Sequence, residues 1–292
     1  MTGERFSEPF FDETVSRLAK GTHARFVVRT PLSMLYELDK EPSLEPCGIV
    51  FHIGRCGSTL LARQLGLVAG VISVREPQII NMLLGANSEL IDSSTQIQIL
   101  RFLVRALGRI RFGDERYFVL KLSSWNILKA ALFRLAFPTV PMIWVQRRPV
   151  EVMASMIKEA PSWLVQNHPS QTAQFFGIDP ETVKGTDGFE FAARLLASML
   201  TAAEDTNALV IDYEDLPGAI PDIVAPFFGI PVNAVERAEM QEQSRYYAKS
   251  NNALPFTDDS KQKQEIPERA AVVSAAFLDE SYTRLKERRP KK

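Results

Sequence analysis

The run Ile49-Val50-Phe51-His52-Ile53-Gly54-Arg55-Cys56-Gly57-Ser58-Thr59-Leu60-Leu61 passes from an apolar strand through a turn of small residues straight into an amphipathic helix. Successive backbone N–H groups at such a turn converge on one point, and the positive end of the helix adds to their attraction for an anion. The segment therefore predicts a phosphate cradle and, with it, a nucleotide ligand. The ATP-type loop G-x-x-x-x-G-K-[ST] carries a lysine that reaches the β and γ phosphates. Here Ser58 stands where that lysine would be, and Arg55 supplies a cation earlier in the loop. The alternative for the same residues is a tight strand-to-helix turn without a ligand.

A second segment has the same build. Val140-Pro141-Met142-Ile143-Trp144-Val145-Gln146 reads as a buried strand, Arg147-Arg148-Pro149 follows, and then a helix carries Val152 and Ser155 on its first turns. Proline at the first helical position is a start signal. Taken alone, this is a helix start with two solvated arginines. Together the two segments resemble the sulfotransferases that use PAPS (3′-phosphoadenosine 5′-phosphosulfate), closest in pattern to the tyrosylprotein-type and bacterial ones. In that family Lys or Arg precedes a Ser/Cys-Gly-Ser/Thr-Thr turn around the 5′-phosphosulfate. A later strand ends in Arg-Asp-Pro with a Ser six residues beyond the proline, and both contact the 3′-phosphate. Arg147 and Ser155 match that spacing, whereas Arg148 stands where the family usually has Asp.

Three further stretches follow in order. Phe118-Val119-Leu120-Lys121 ends in a lysine, like the family's Lys-Thr-Pro stretch, although Leu122-Ser123 follows here. Ala208 to Leu216 contains Tyr213-Glu214-Asp215-Leu216, similar to a strand end whose role in the family is mainly structural. Arg245 to Ser250 lies where the family closes a late loop over the nucleotide, which makes Tyr247 and Lys249 candidate contacts. The resemblance spans about 49 to 250.

From Cys47 onward short β-rich runs alternate with helical ones, the pattern of βαβ units and a parallel sheet covered on both faces. Strands are expected near 48–53, 71–75, 117–122, 140–146 and 208–213. Helices are expected near 58–69, 92–109, 125–136, 149–159 and 188–204, with a long one over 267–288. The resemblance implies an α/β fold of the P-loop nucleoside-triphosphate-hydrolase-like kind: one domain over 47–292, with an N-terminal extension over 1–46 that includes a candidate strand at 24–28. In an open parallel sheet, ligands bind beyond the carboxyl ends of the strands. Arg55, Glu76, Lys121 and Arg147 all follow expected strands. The stretch 159–188, rich in Pro, Gly, Asn and Gln with Trp163, Phe175 and Phe176, reads as an insertion that forms a lid over the acceptor pocket.

The 292 residues carry a formal net charge of −1, which leaves no global basic field of the kind nucleic-acid binding uses. Two cysteines without a C-x-x-C or metal spacing fit a reduced, cytoplasmic setting. No apolar run is long enough for a membrane span. A homodimer stays open.

The resemblance implies sulfuryl transfer from PAPS to a hydroxyl or amine by in-line displacement, without a metal. Arg55, Cys56, Gly57, Ser58, Thr59 and Leu60 would hold the 5′ end and Arg147 and Ser155 the 3′-phosphate. Arg55 and Lys121 would serve the reacting sulfuryl group. Glu76, in Val74-Arg75-Glu76-Pro77, is the candidate base, because related enzymes carry a catalytic Glu after the same strand; the alternative is a Glu that pairs with Arg75 or caps a helix. His52 reads as a core histidine, and His23 and His168 lack a supporting motif. Leu60 replaces a tryptophan that stacks on adenine in many members, leaving Tyr246, Tyr247 or Trp125 for the base. Two other readings remain: a kinase-like ATP enzyme, which would need a lysine after Gly57 and a Mg²⁺ carboxylate at a strand end, and a nucleotide-binding scaffold without catalysis.

Overall fold

The computed structural model of the chain describes residues 5–6, 8–20, 31, 33–38, 40–85, 91–165, 168–246 and 266–290. Five strands, β1 (Gly48–His52), β2 (Val71–Arg75), β3 (Tyr117–Lys121), β4 (Met142–Gln146) and β5 (Leu209–Asp212), form one parallel sheet in the order β2-β3-β1-β4-β5. Nearly every strand residue is buried, on both faces alike. That is the condition of a parallel sheet with helices on either side, and it explains runs such as Ile49-Val50-Phe51 in which no polar residue alternates. The fold is of the α/β class expected, a central parallel sheet with helices on both faces. The connection leaving β1 runs toward β2 and that leaving β4 toward β5, so a crevice opens between their carboxyl ends.

The helices differ from expectation at definable places. The helix after β1 is Ser58–Leu65 and stops four residues early. Gly66 ends it, lying so close to β2 that an added Cβ would stand 3.2 Å from the Ser73 Cβ. The stretch 125–136 is a 3₁₀ turn, Ser124–Lys129, followed by an α-helix, Ala130–Ala136. Ser123 and Asn126 cap that turn reciprocally. The long helix over 267–288 is two, Glu268–Phe277 and Asp279–Glu287, broken at Leu278, whose side chain is fully buried while the Asp279 carboxylate takes the Ser274 hydroxyl. Several helices were not foreseen, the longest among them Phe11–Ala19, Gln78–Leu84 and Ala234–Gln243. The stretch 159–188 is not an open loop, since Pro169–Phe175 and a 3₁₀ turn, Pro180–Val183, lie within it and Ala173, Phe176 and Val183 join the core. The candidate strand at 24–28 and His23 lie outside the described residues.

The N-terminal segment is anchored beside the edge strand β2. Phe11 enters the core, the buried Arg75 guanidinium donates to the Phe6 carbonyl at 2.6 Å, and the Asp12 carboxylate accepts the Gln78 N–H at 2.8 Å. Glu8 accepts from Thr14 and Arg17. Burial works against the Glu8 charge, but the hydrogen bonds from Arg17 and Thr14 outweigh it and lower its pKa from 4.5 to about 2. A depressed carboxyl stabilises fully above its unfolded value and loses that contribution as pH falls. We expect this segment to loosen as the pH drops from 4.5 toward 2, read as faster proteolysis between residues 8 and 20, and Glu8→Gln to abolish that pH dependence.

Candidate active site

Beyond the carboxyl ends of β1 to β5 lies a cleft of about 770 Å³. The ten described residues singled out from the sequence all line it: Arg55 to Leu60 from the loop, and Glu76, Lys121, Arg147 and Ser155 from four separate stretches of chain. Strand register is what assembles them. Arg75 pairs with Lys121 across β2 and β3, so Glu76, the next residue, donates its N–H to the Lys121 carbonyl at 2.7 Å and brings its carboxylate onto the lysine Nζ. Tyr247 and Lys249 lie outside the described residues; Ser244 and Tyr246, just before them, line the cleft.

The loop is held in an unusual backbone. Gly54, Arg55 and Gly57 all take positive φ, at 92°, 53° and 79°. At Gly57 a Cβ would also stand 2.7 Å from Leu216 Cδ1, so glycine is required there on two counts. His52, at the end of β1, supports the loop: its Nδ1 accepts the Gly54 N–H at 3.0 Å, which leaves Nε2–H to donate to the Leu122 carbonyl at 2.9 Å. Burial, and then the charge of Lys121, push the His52 pKa down, so the ring is a neutral strut. Cys56 is fully buried, and burial raises its thiol pKa, which leaves it protonated and unreactive. Ser58 and Thr59 are buried at the start of the helix.

Among the described residues other than glycine, Arg55 and Glu76 alone adopt a left-handed backbone, with φ of 53° and 51°. Such a conformation costs about 1–3 kcal/mol and persists where the surroundings over-determine it, typically at functional sites.

Each cation of the cleft is matched to a carboxylate. Arg55 reaches Glu159 twice, at 2.7 Å to Oε2 and 2.6 Å to the carbonyl oxygen. Arg147 donates from Nε to Glu151 Oε2 at 2.6 Å, and its guanidinium lies 4.0 Å over the Tyr213 ring. Lys121, with 1 % of its surface exposed, pairs with Glu76, and His52 Nε2 stands 3.6 Å from the same carboxylate oxygen. Burial by itself would raise the Glu76 pKa; the Lys121 charge and the hydrogen bonds from His52 and Lys121 together outweigh it and hold the carboxyl well below the usual range. Arg147 Nη2 is buried without a hydrogen-bond partner, a donor aimed at nothing in the protein. Arg148, in contrast, is mostly exposed and, lacking an acceptor, leaves the helix Pro149–Lys158 without a side-chain cap.

Sequence reasoning missed several lining residues. Tyr213, read as structural, stacks on Arg147 in the cleft wall. Phe10 lies 5.9 Å from Lys121 Nζ, and Gln78 and Asn81 come from the unforeseen helix after Glu76. Trp163, in the stretch expected to cover the acceptor pocket, and Trp125, a candidate for the adenine, were named from the sequence and line the cleft as well; Trp163 donates to Ser124 Oγ at 3.2 Å, and Trp125 packs edge-on against Phe175. An acidic residue at 159 gave no signal, because its partner Arg55 is more than a hundred positions away. No metal-holding group of His, Cys, Asp and Glu occurs among the described residues, and no described helix is long and apolar enough to cross a membrane.

No family model matches the chain and no curated protein matches it. Solved structures do resemble it. One is the sulfotransferase domain from the curacin biosynthetic pathway, at 14 % identity over 84 % of this chain and 97 % of that one, with a TM-score of 0.46. A sulfotransferase from Mycobacterium tuberculosis overlaps at 15 % identity over 85 % and 80 %, with a TM-score of 0.47. A mouse sulfotransferase complexed with PAP overlaps at 15 % identity over 87 % and 93 %, with a TM-score of 0.37. All three are sulfotransferases.

Gly57→Ala tests whether the cleft depends on the loop backbone. The added methyl should destabilise the fold by about 1–3 kcal/mol, seen as a lower melting temperature, and should weaken the binding of phosphate-bearing nucleotides out of proportion to that loss.

Proposed function

We propose that the chain transfers a sulfuryl group from PAPS to an acceptor hydroxyl or amine. The observation that carries this reading is the cleft's combination of a strained loop cation, Arg55, with a strained carboxylate, Glu76, in the same lining. Strain is maintained where geometry matters for chemistry. A scaffold that only bound a nucleotide would have no use for a second strained residue outside the loop.

The donor's 5′-phosphosulfate sits against the N–H groups of Gly57, Ser58, Thr59 and Leu60 and the Ser58 and Thr59 hydroxyls. Its 3′-phosphate takes the orphaned Nη2 of Arg147 together with Ser155. Glu76 accepts the acceptor's proton as the acceptor atom attacks sulfur. The bond from sulfur to the bridging oxygen breaks, and the electron pair leaves with adenosine 3′,5′-bisphosphate (PAP). Arg55 and Lys121 stabilise the charge that grows on the bridging and sulfuryl oxygens, the kind of preorganised electrostatic contribution that dominates such steps. The adenine ring lies toward Leu60, Leu216 and Tyr246, which line the cleft as Tyr213 does. A kinase-like reading is disfavoured by the residue types present, since β3, beside the loop strand, ends in a buried lysine in place of a carboxylate suited to Mg²⁺. The acceptor enters on the side of Phe10, Gln78 and Asn81. The lack of a signal for a membrane or nucleic-acid partner fits an enzyme of the cytoplasm acting on small molecules.

Calorimetric titration decides the matter. PAP should bind and ATP and ADP should not compete with it. Arg147→Ala should weaken PAP by about tenfold or more, since a charge-assisted hydrogen bond contributes roughly 1.5–3 kcal/mol. Glu76→Gln should retain PAP binding and lose turnover of PAPS. Preference for ATP, or no binding of PAP, would overturn the reading.

A further inference from the structure

We infer that Lys121 is shared between Glu76 and the donor's sulfonate, so that the carboxylate becomes an effective base only once the donor is in place. This rests on the sulfotransferase reading above and goes beyond it, by tying the readiness of the base to occupancy of the donor site.

The ion pair of the free protein is what argues for it. Lys121 ends β3 with its ammonium fully buried, and Glu76 is the carboxylate against it. The other groups facing Glu76 are the neutral His52 ring at 3.6 Å, whose two nitrogens are committed to Gly54 and Leu122, and the apolar Phe10 ring near the lysine. Cys56, also close to Lys121, is protonated. Among the groups that hold the basicity of Glu76 down, the charge on Lys121 is therefore the main one. A carboxylate in contact with an ammonium is a poor proton acceptor, because taking the proton forfeits that attraction.

The same ammonium lines the cleft together with the loop that would hold the 5′-phosphosulfate, and it ends the strand beside the loop's own. A sulfonate arriving there competes with Glu76 for it. As the lysine turns to the sulfonate oxygens, the partly buried carboxylate loses its counter-ion and its affinity for a proton rises. The proton it then accepts comes from the acceptor hydroxyl or amine, whose oxygen or nitrogen forms the new bond to sulfur while the bridging bond breaks and PAP departs. PAP, which has no sulfonate, leaves the Lys121–Glu76 pair undisturbed. The device would keep the base idle in the product complex and in the empty enzyme.

Competition of this kind is reciprocal: what the donor does to Glu76, Glu76 does to the donor. Calorimetry with PAPS and with PAP, in the absence of acceptor, reads it. Glu76→Gln, which removes the charge that competes for Lys121, should tighten PAPS by about tenfold, the equivalent of a one-unit shift at the carboxyl. It should leave PAP within about twofold, and unchanged PAP binding also reports that the variant is folded. Lys121→Met should erase the difference between PAPS and PAP. If Glu76→Gln changes both ligands alike, or weakens PAPS alone, the sharing of Lys121 is wrong while the sulfotransferase reading stands. If the unaltered protein binds neither ligand, that reading falls and the inference with it.

Discussion

Charges cannot be buried at the end of a parallel sheet unless each is answered, and that requirement organises this molecule. Removing an ion from water costs several kcal/mol even after relaxation, and breaking one partner out of a buried pair costs about 3–5 kcal/mol. Lys121 and Arg147 are almost wholly buried and Arg55 largely so; each is met by a carboxylate, Glu76 and Glu159 from distant parts of the chain and Glu151 from the next helical turn. These pairs contribute little to net stability compared with an apolar core. What they provide is a cleft that holds concentrated positive charge while empty and can exchange its internal anions for those of a ligand. The unpartnered Nη2 of Arg147 marks where that exchange is incomplete even in the free protein.

The charges need a frame that does not yield, and the frame is unpolar or neutral. His52 joins the loop at Gly54 to the end of β3 at Leu122 by two hydrogen bonds, and its burial keeps it uncharged. Asn81, Ser123 and Asn126 link the helix after Glu76 to the turn after β3, with bonds of 2.9 and 3.0 Å. Those two sets of contacts bracket Glu76, which accounts for how its left-handed backbone can be sustained in a residue with a Cβ. The strain at Arg55 has the same basis, a loop pinned from below by His52 and from the side by Leu216 and Tyr213 against Gly57.

How much of this was legible in the chain follows from how local each cause is. The sheet was readable because buried parallel strands are written as continuous apolar runs, and β2 was expected with the bounds it has. Helix ends set by contact with another element were not: Gly66 stops its helix against β2, and Leu278 breaks the last helical stretch by turning into the core. The cleft residues that belong to short motifs, from Arg55 to Leu60 and Arg147 with Ser155, could be picked out by spacing. Phe10, Asn81 and Glu159 could not, since their presence in the cleft depends on how distant segments pack. Tyr213 was visible but misread, because its neighbours Glu214 and Asp215 engage in surface ion pairs with Lys286 and Arg289 and only its own ring turns inward to Arg147.

The N-terminal segment then has a consequence for selectivity that its position in the chain conceals. Anchored through Arg75, Asp12 and Glu8, it sets Phe10 beside the Lys121–Glu76 pair on the side away from Arg147. The walls of the cleft are therefore unequal. One end, around Arg147, Ser155 and Tyr213, combines a guanidinium with an aromatic face and suits a phosphorylated nucleoside. The other, around Phe10, Gln78, Asn81 and Trp163, offers aromatic surface and amides with no cation of its own among the described residues. An anionic acceptor would find no counter-charge there apart from Lys121, already claimed by Glu76 or the donor, and would meet the repulsion of the Glu76 carboxylate. A neutral acceptor with an apolar or aromatic body would be desolvated against Phe10 and Trp163 with its hydroxyl or amine turned to Glu76. On the proposed sulfuryl transfer, this division of charge between the two ends would let one open cleft distinguish donor from acceptor.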